Sequence, residues 1–350
     1  MRFLLLEAED VAWFRDDLSG ARGAAARLAG RVGLDGHRVG QVALAVSEAA
    51  SNLAKHAVAG AIVLRVVRTA QHAGVEFLAV DSGPGMADVA AAMRDGRSTA
   101  GTLGIGLGAI VRSADVFDLH SAVGHGTVML ARFWARDAAG RPVPGHDLPQ
   151  AVVEGVTRPI SGALECGDGW AARLDDGTPA PGQGAAVLVM LCDGLGHGPL
   201  AQMASRAGLR AFRTGRGRSP EEVVQEVHQG LAGTRGAAVA VARVEPQAAR
   251  VLFCGVGDIT AAIVTPASKT GLPAQPGIAG RRMPTLRTVT QRLPAGSALV
   301  LHSDGLTGRW GPDTLPGILG HSPAVIAGHL LRSAGKYHDD ACAVVATGPW

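Results

Sequence analysis

Between residues 39 and 57 the apolar side chains Val42, Val46, Ala49, Leu53 and Ala57 recur at helical spacing, which predicts an amphipathic helix with one buried stripe. Residues 61–67, 75–80, 185–191 and 298–301 are short apolar runs, most followed by Gly or Asp, and predict buried strands. Ser219-Pro220-Glu221-Glu222 ahead of Val223, Val224 and Val227 reads as a helix start: Ser219 caps, proline takes the first position and Glu222 completes a capping box. Strands and helices alternate in both halves, an α/β (α+β) pattern. Residues 138–150 hold three prolines and two glycines with no hydrophobic period and predict a linker, so the domains are expected at 1–137 and 151–350. The Gly/Pro-rich stretch 266–284 predicts a long surface loop.

Composition agrees with two cores. The chain has 350 residues, 47% hydrophobic and 18% charged, enough for two domains of roughly 150 residues each. A net charge of +3 argues against broad nucleic-acid binding; the run Arg206, Arg210, Arg213, Arg216, Arg218 reads as a solvated helix end. Cys166, Cys192, Cys254 and Cys342 lie far apart with no C-x-x-C pair, which suggests reduced core thiols and neither zinc nor disulfides. The N-terminal leucines are ended at once by Glu7, Glu9 and Asp10, and no apolar stretch approaches the roughly 20 residues of a membrane span. A cytoplasmic location with no membrane partner is expected.

On the predicted helix, Glu48, Asn52 and His56 stand at i, i+4 and i+8, a ridge beside the apolar stripe where polar groups can face a cleft. The next apolar strand runs into Asp81-Ser82-Gly83-Pro84-Gly85-Met86, where a strand-end carboxylate and two glycines let backbone approach a planar ligand. Further on come Gly101-Thr-Leu-Gly104-Ile-Gly106-Leu-Gly108 before an apolar helix, and Gly124-His-Gly126-Thr127 before a strand. Glycine-rich backbone feeding a helix N-terminus can cradle phosphate. A dinucleotide fold is excluded, because the glycine run follows a polar loop and not the first strand of a βαβ unit.

In order and spacing these elements resemble the GHKL ATPases, and most closely the RsbT-like anti-sigma serine kinases. Ser47-Glu48-Ala-Ala-Ser-Asn52 is similar to their N-box, Asp81 to Gly85 to their adenine box, and Asp95 to Gly108 to their lid and phosphate loop. The resemblance implies a GHKL α/β sandwich that binds ATP with Mg²⁺ on Asn52. It implies that Glu48 orients or deprotonates a partner's serine or threonine hydroxyl, and that Asp81, Gly83, Gly85, Gly104, Gly106, Gly108, Gly126 and Thr127 hold the nucleotide. Such relatives often dimerise, and no interface is legible.

The second half carries Gly167-Asp168-Gly-Trp170, Leu191-Cys-Asp193-Gly194-Leu-Gly-His-Gly198, His302-Ser-Asp304-Gly305 and His338-Asp339-Asp340-Ala341, each beside an apolar strand. Carboxylates at strand ends can converge at one end of a sheet sandwich, and hard oxygen ligands suit Mg²⁺ or Mn²⁺. The motifs resemble, in this order, the SpoIIE and RsbX branch of the protein phosphatase 2C family. The resemblance extends to Gly255-Val-Gly257-Asp258, where many relatives have Asn. It implies an α-β-β-α sandwich and two-metal hydrolysis, with Asp193, the Gly194 carbonyl, Asp304 and Asp339 holding two Mn²⁺ or Mg²⁺ ions to activate water. Asp168 and Asp340 are further candidate ligands. His197 is read either as proton donor to the leaving serine oxygen or as a structural loop residue. Trp170 and Trp310 are assigned to core packing.

Together the resemblances imply a partner-switching regulator. One half would phosphorylate a STAS-domain anti-sigma antagonist or stressosome-type protein, and the other would remove that phosphate, so that a sigma factor or stress complex is controlled. The alternative is a first half that only senses ATP and a partner and gates the phosphatase.

Overall fold

The computed structural model describes residues 5–15, 17–69, 72–93, 106–136, 142–143, 152–175, 185–348 and 350. The chain divides into two compact units, Leu6–Gln150 and one built on Ala151–Trp350. Among the described residues no helix is long and apolar enough to cross a membrane.

The first unit runs β1 (Glu7–Phe14), α1 (Ala21–Arg31), α2 (Gly36–His56), β2 (Ala61–Arg68), β3 (Ala73–Asp81), α3 (Val89–Ala92), α4 (Gly106–Ser113), β4 (Val116–Ser121), β5 (Thr127–Arg136) and β6 (Pro142–Val143). Its antiparallel sheet has the order β1-β2-β3-β5-β4, with β6 on β5. The apolar stripe of α2, with α1 and Ile110 of α4, packs on the sheet face made by Ile62, Leu64, Phe77, Ala79, Met129 and Phe133. This is a two-layer α/β sandwich. On the other face Asp10, Arg65, Glu76 and Arg132 stand in register on four adjacent strands. The Arg65–Glu76 pair closes at 2.7 Å between two fully buried side chains, so each buried charge has an opposite neighbour.

Helix α2 begins where the Asp35 carboxylate accepts the Arg38 N–H at 2.9 Å. The Arg38 side chain then turns inward. It donates to the carbonyls of Trp134 at 3.1 Å and Ser113 at 2.6 Å and pairs with Asp115, whose carboxylate also accepts the Trp134 N–H. One buried guanidinium therefore ties α2 to β5 and to the end of α4.

The second unit runs β7 (Val153–Arg158), β8 (Asp168–Leu174), β9 (Val187–Gly194), α5 (Pro199–Thr214), α6 (Pro220–Gly230), β10 (Ala237–Glu245), β11 (Arg250–Val256), β12 (Ile259–Val264), β13 (Lys269–Leu272), β14 (Val289–Arg292), β15 (Ala298–Ser303), α7 (Pro323–Ala334) and β16 (Ala341–Thr347). It holds two five-stranded sheets, β14-β11-β10-β9-β8 and β13-β12-β15-β16-β7. Helices α5 and α6 cover the first sheet and α7 the second, which makes an α-β-β-α sandwich. Between the sheets Gly155 of β7 leaves room for the Trp170 ring: a methyl group there would come within 2.9 Å of it. Trp170 and Trp310 are both buried, and the capping box of α6 is formed.

The stretch 266–284 is not a plain surface loop. Lys269–Leu272 pairs with β12, Gln275 exchanges backbone hydrogen bonds with Gly255 and Gly257, and Ala279 bridges to Ala237. Its glycines and prolines bend a segment that is hydrogen-bonded along the sandwich edge, a pairing partner about which local composition says nothing.

Candidate active sites

In the first unit, register and helix packing build one cavity of about 520 Å³ lined by Glu48, Asn52, Asp81, Gly85, Gly106 and Thr127, among others. Asp81 ends β3 directly opposite Thr127 at the start of β5. Its carboxylate accepts the Gly83 N–H at 2.6 Å, which holds the loop after the strand. Gly126 has φ +71°, and a side chain there would collide with the Asp81 carbonyl. The Thr127 hydroxyl meets that of Ser121 at 2.9 Å, and Ser121 in turn accepts the Met86 N–H at 2.8 Å. Asp81 and Thr127 therefore share a fixed polar rim above the apolar floor of Ala79, Leu119 and Met129, a slot suited to a flat base with polar edges.

At the far end of the cavity Gly106 opens α4 against the ridge of α2. A methyl group on Gly106 would lie 2.8 Å from Glu48 Oε2 and 3.9 Å from Asn52 Oδ1. A helix N-terminus, a carboxylate and an amide thus meet at one spot, where backbone N–H groups favour an anion and Asn52 and Glu48 offer oxygens to its counter-cation. Lys55 and His56 also line the cavity; no motif in the local sequence marks Lys55. Gly108 is buried within α4 and Gly83 and Gly126 shape the walls without lining the space. Gly104, with the rest of the expected lid at 95–105, lies outside the described residues.

In the second unit, six aspartates gather at one end of the sandwich. Asp168 opens β8 directly opposite Asp193 near the end of β9. Asp304 follows β15 at once, Asp339 and Asp340 precede β16, and Asp258 stands between β11 and β12. Burial, then the Asp168 and Asp304 carboxylates, pushes Asp193 up from the usual carboxylate range. Burial also raises Asp168, opposed by a hydrogen bond from Ser303. Asp304 rises through burial and the nearby Asp339 and Asp258, with Lys336 acting against them. Among the described residues the Asp168 Oδ2 atom is buried without a hydrogen-bond partner.

Two clamps hold this end together. Arg158 donates to the Lys336 carbonyl at 2.5 Å, and the Lys336 ammonium donates to the Asp304 carbonyl at 2.5 Å. Gly305 passes so close to Asp340 that any side chain would overlap the Asp340 carbonyl.

Against these two sites stand the comparisons. The family described as "Histidine kinase-like ATPase domain" matches residues 15–133, and the one described as "Stage II sporulation protein E (SpoIIE)" matches residues 183–348. The serine/threonine-protein kinase RsbT of Bacillus subtilis (strain 168) is 35% identical over 120 residues, 34% of this chain and 90% of RsbT. The chain belongs to the RsbT family, with a SpoIIE-type phosphatase domain behind. The phosphoserine phosphatase RsbX of the same strain is 23% identical over 142 residues, 40% of this chain and 67% of RsbX. A solved structure of RsbX with magnesium is 18% identical, covers 56% of this chain and 94% of that one, and superposes with a TM-score of 0.47.

Within the SpoIIE-type domain, Asp340 differs from its neighbours. Both its oxygens are taken by backbone amides, Ile160 N–H at 2.7 Å and Gly167 N–H at 2.9 Å. Asp340 thereby seats the loop ahead of Asp168, while half-buried Asp339 accepts only the Asp340 N–H, at 2.9 Å through one oxygen, among the described residues. Asp258, of uncertain role by sequence, belongs to the acidic group through its effect on Asp304. His197 is exposed on the loop after Asp193. His302 is neutral, lowered to about 4 by burial; it accepts the Trp310 indole N–H at 3.1 Å, so its Nδ1 donates to the Ser303 carbonyl. It serves the fold beneath Asp304.

The residues fit a divalent metal. Asp168, Asp193, Asp304 and Asp339 concentrate negative charge, and one buried carboxylate oxygen lacks a partner among the described residues. Among the described residues no group of three His, Cys, Asp or Glu side chains closes into an all-protein cage. Mg²⁺ and Mn²⁺ bound by one or two carboxylates, a backbone carbonyl and waters need none.

Proposed function

We propose that the chain is a bifunctional partner-switching regulator. Its SpoIIE-type domain removes phosphate from a serine or threonine of a STAS-type antagonist protein, and its RsbT-type domain puts that phosphate on. The observation that carries the reading is the convergence of Asp168, Asp193, Asp304 and Asp339 from four separate strand ends.

In the phosphatase, Asp193, the Gly194 carbonyl, Asp304 and Asp339 would hold Mn²⁺ or Mg²⁺, which when bound acidifies water and offsets phosphate charge. Asp168, buried and hydrogen-bonded to Ser303 and Asp193, would bind the metal or a metal-bound water at this end. In the net reaction the P–O bond to the serine oxygen breaks, a P–O bond to the water oxygen forms, and the released serine oxygen takes a proton. In the kinase-like domain, Asp81 would recognise the base and Asn52 would offer its amide oxygen to Mg²⁺, which would offset phosphate charge. Glu48 then orients the partner's hydroxyl, because phosphoryl transfer depends mainly on positioning and charge cancellation.

The test is Mn²⁺-dependent hydrolysis of a phosphorylated STAS-domain protein beside [γ-³²P]ATP labelling of the unphosphorylated form. Loss of hydrolysis in Asp304→Asn and of labelling in Glu48→Ala supports the two assignments. Labelling absent with wild type leaves the first domain an ATP sensor.

A further inference from the structure

The carboxylate end of the second unit is built to hold cations, yet a phosphoprotein brings a dianion to it. Something cationic must receive the phosphate oxygens that the metals do not, because an unpaired dianion beside several carboxylates is repelled. Most basic groups near this end are committed. Lys336 donates to the Asp304 carbonyl at 2.5 Å and Arg281 to the Thr234 carbonyl at 3.0 Å.

Arg235 is different. It is exposed, and its guanidinium makes no hydrogen bond or ion pair among the described residues. It lies two residues before β10, whose Ala238 is in register with Asp193 and whose Ala237 faces Gly194. The guanidinium reaches over the loop that follows Asp193: a methyl group on Gly196 would sit 3.1 Å from Arg235 Nη1. That loop in turn abuts Gly167, beside Asp168.

The backbone under Arg235 is firmly held while its side chain is not. Leu195 N–H donates to the Gly236 carbonyl at 3.1 Å, joining the two loops. The Thr234 hydroxyl donates to the Leu231 carbonyl at 2.7 Å and accepts the Gly236 N–H at 3.0 Å. Such a base delivers a permanently charged, planar fork to the rim of the acidic site, a group that binds two phosphate oxygens at once. It also stands clear of the carboxylates, so it does not neutralise the residues needed for metal.

We infer that Arg235 is the phosphate anchor of this domain: it binds the phosphomonoester dianion of the substrate and the phosphate product at the mouth of the aspartate cluster. The inference rests on the phosphatase reading above.

The experiment titrates inorganic phosphate into Mn²⁺-loaded wild type, Arg235→Ala and Arg235→Lys by calorimetry, with p-nitrophenyl phosphate kinetics alongside. Loss of a charge-assisted, bidentate contact predicts phosphate binding and KM weakened about tenfold in Arg235→Ala, with kcat changed much less. Arg235→Lys, a point charge without the fork, falls between. The Mn²⁺-induced rise in melting temperature stays as in wild type, because no metal ligand is touched. Equal phosphate affinity in wild type and both variants overturns the assignment. Should Arg235→Ala fail to fold, the comparison of Arg235→Lys with wild type decides it. Absence of Mn²⁺-dependent hydrolysis in wild type counts against the phosphatase reading, while the phosphate titration still decides Arg235.

Discussion

Asp168 and Asp193 face each other in the β8–β9 ladder, two carboxylates in register on neighbouring strands with Asp304 close by. Like charges placed opposite one another weaken a sheet, and here burial strengthens the repulsion. A fold keeps such a pair when a cation offsets it.

The first prediction follows. Mn²⁺ or Mg²⁺ raises the melting temperature of the wild-type second unit. Asp193→Asn raises the metal-free melting temperature by about 2–4 °C for each kcal/mol of repulsion removed, and it abolishes the metal-dependent rise. Calorimetry with and without EDTA checks both; a metal-dependent rise that survives in Asp193→Asn removes that residue from the site.

Asp339 and Asp340 are neighbours with opposite consequences. Asp340→Ala strands the Ile160 and Gly167 N–H groups, at a cost of about 1–3 kcal/mol for each buried donor left unsatisfied, and so lowers the melting temperature. Asp339→Ala leaves the fold intact and takes away metal-dependent hydrolysis. Thermal melts and kinetics on the two variants separate the roles, and a reversed pattern would refute the division.

In the first unit, the α2 ridge and the β3 end are expected to separate transfer from binding. Asp81→Ala weakens ATP binding about tenfold or more, the value of a hydrogen bond to a charged group. Glu48→Ala leaves ATP binding near wild type and stops labelling of the partner. Fluorescent-nucleotide titration reads the first effect and radiolabel transfer the second.

Arg38 makes a prediction about stability. Its removal takes from buried Asp115 one of two guanidinium partners, Arg136 at 2.8 Å being the other, and strands the Trp134 and Ser113 carbonyls it served, a loss of about 1–3 kcal/mol for each buried group left unsatisfied. Arg38→Ala therefore unfolds at lower denaturant than wild type, and the nucleotide cavity loosens with it, because α2 carries Glu48 and Asn52. An unchanged urea midpoint would show that Arg38 does not anchor the helix.

The parts legible in the sequence are those encoded by neighbours. The stripe on α2 appears as spacing, and its ridge follows from the same period; Asp193 and Asp304 stand out because an apolar strand runs straight into each. The capping box of α6 is local as well. What was not legible depends on pairing across distance. Arg38 meets Asp115 from 77 positions away, so nothing beside it in the chain marks it as an anchor. Lys269–Leu272 is too short and too polar to announce a strand, and it forms because β12 offers an edge. Asp340 resembles Asp339 in every local respect; only the amides of Ile160 and Gly167, brought up by the fold, give it a different task.

The measurement that bears most directly on the central claim is p-nitrophenyl phosphate hydrolysis by the purified protein in Mn²⁺, with EDTA, Asp193→Asn and Asp304→Asn as controls. Convergence of the aspartates on a metal predicts hydrolysis that vanishes with EDTA and in both variants, each still folded. Hydrolysis that persists in EDTA, or undiminished in Asp193→Asn and Asp304→Asn, would contradict it.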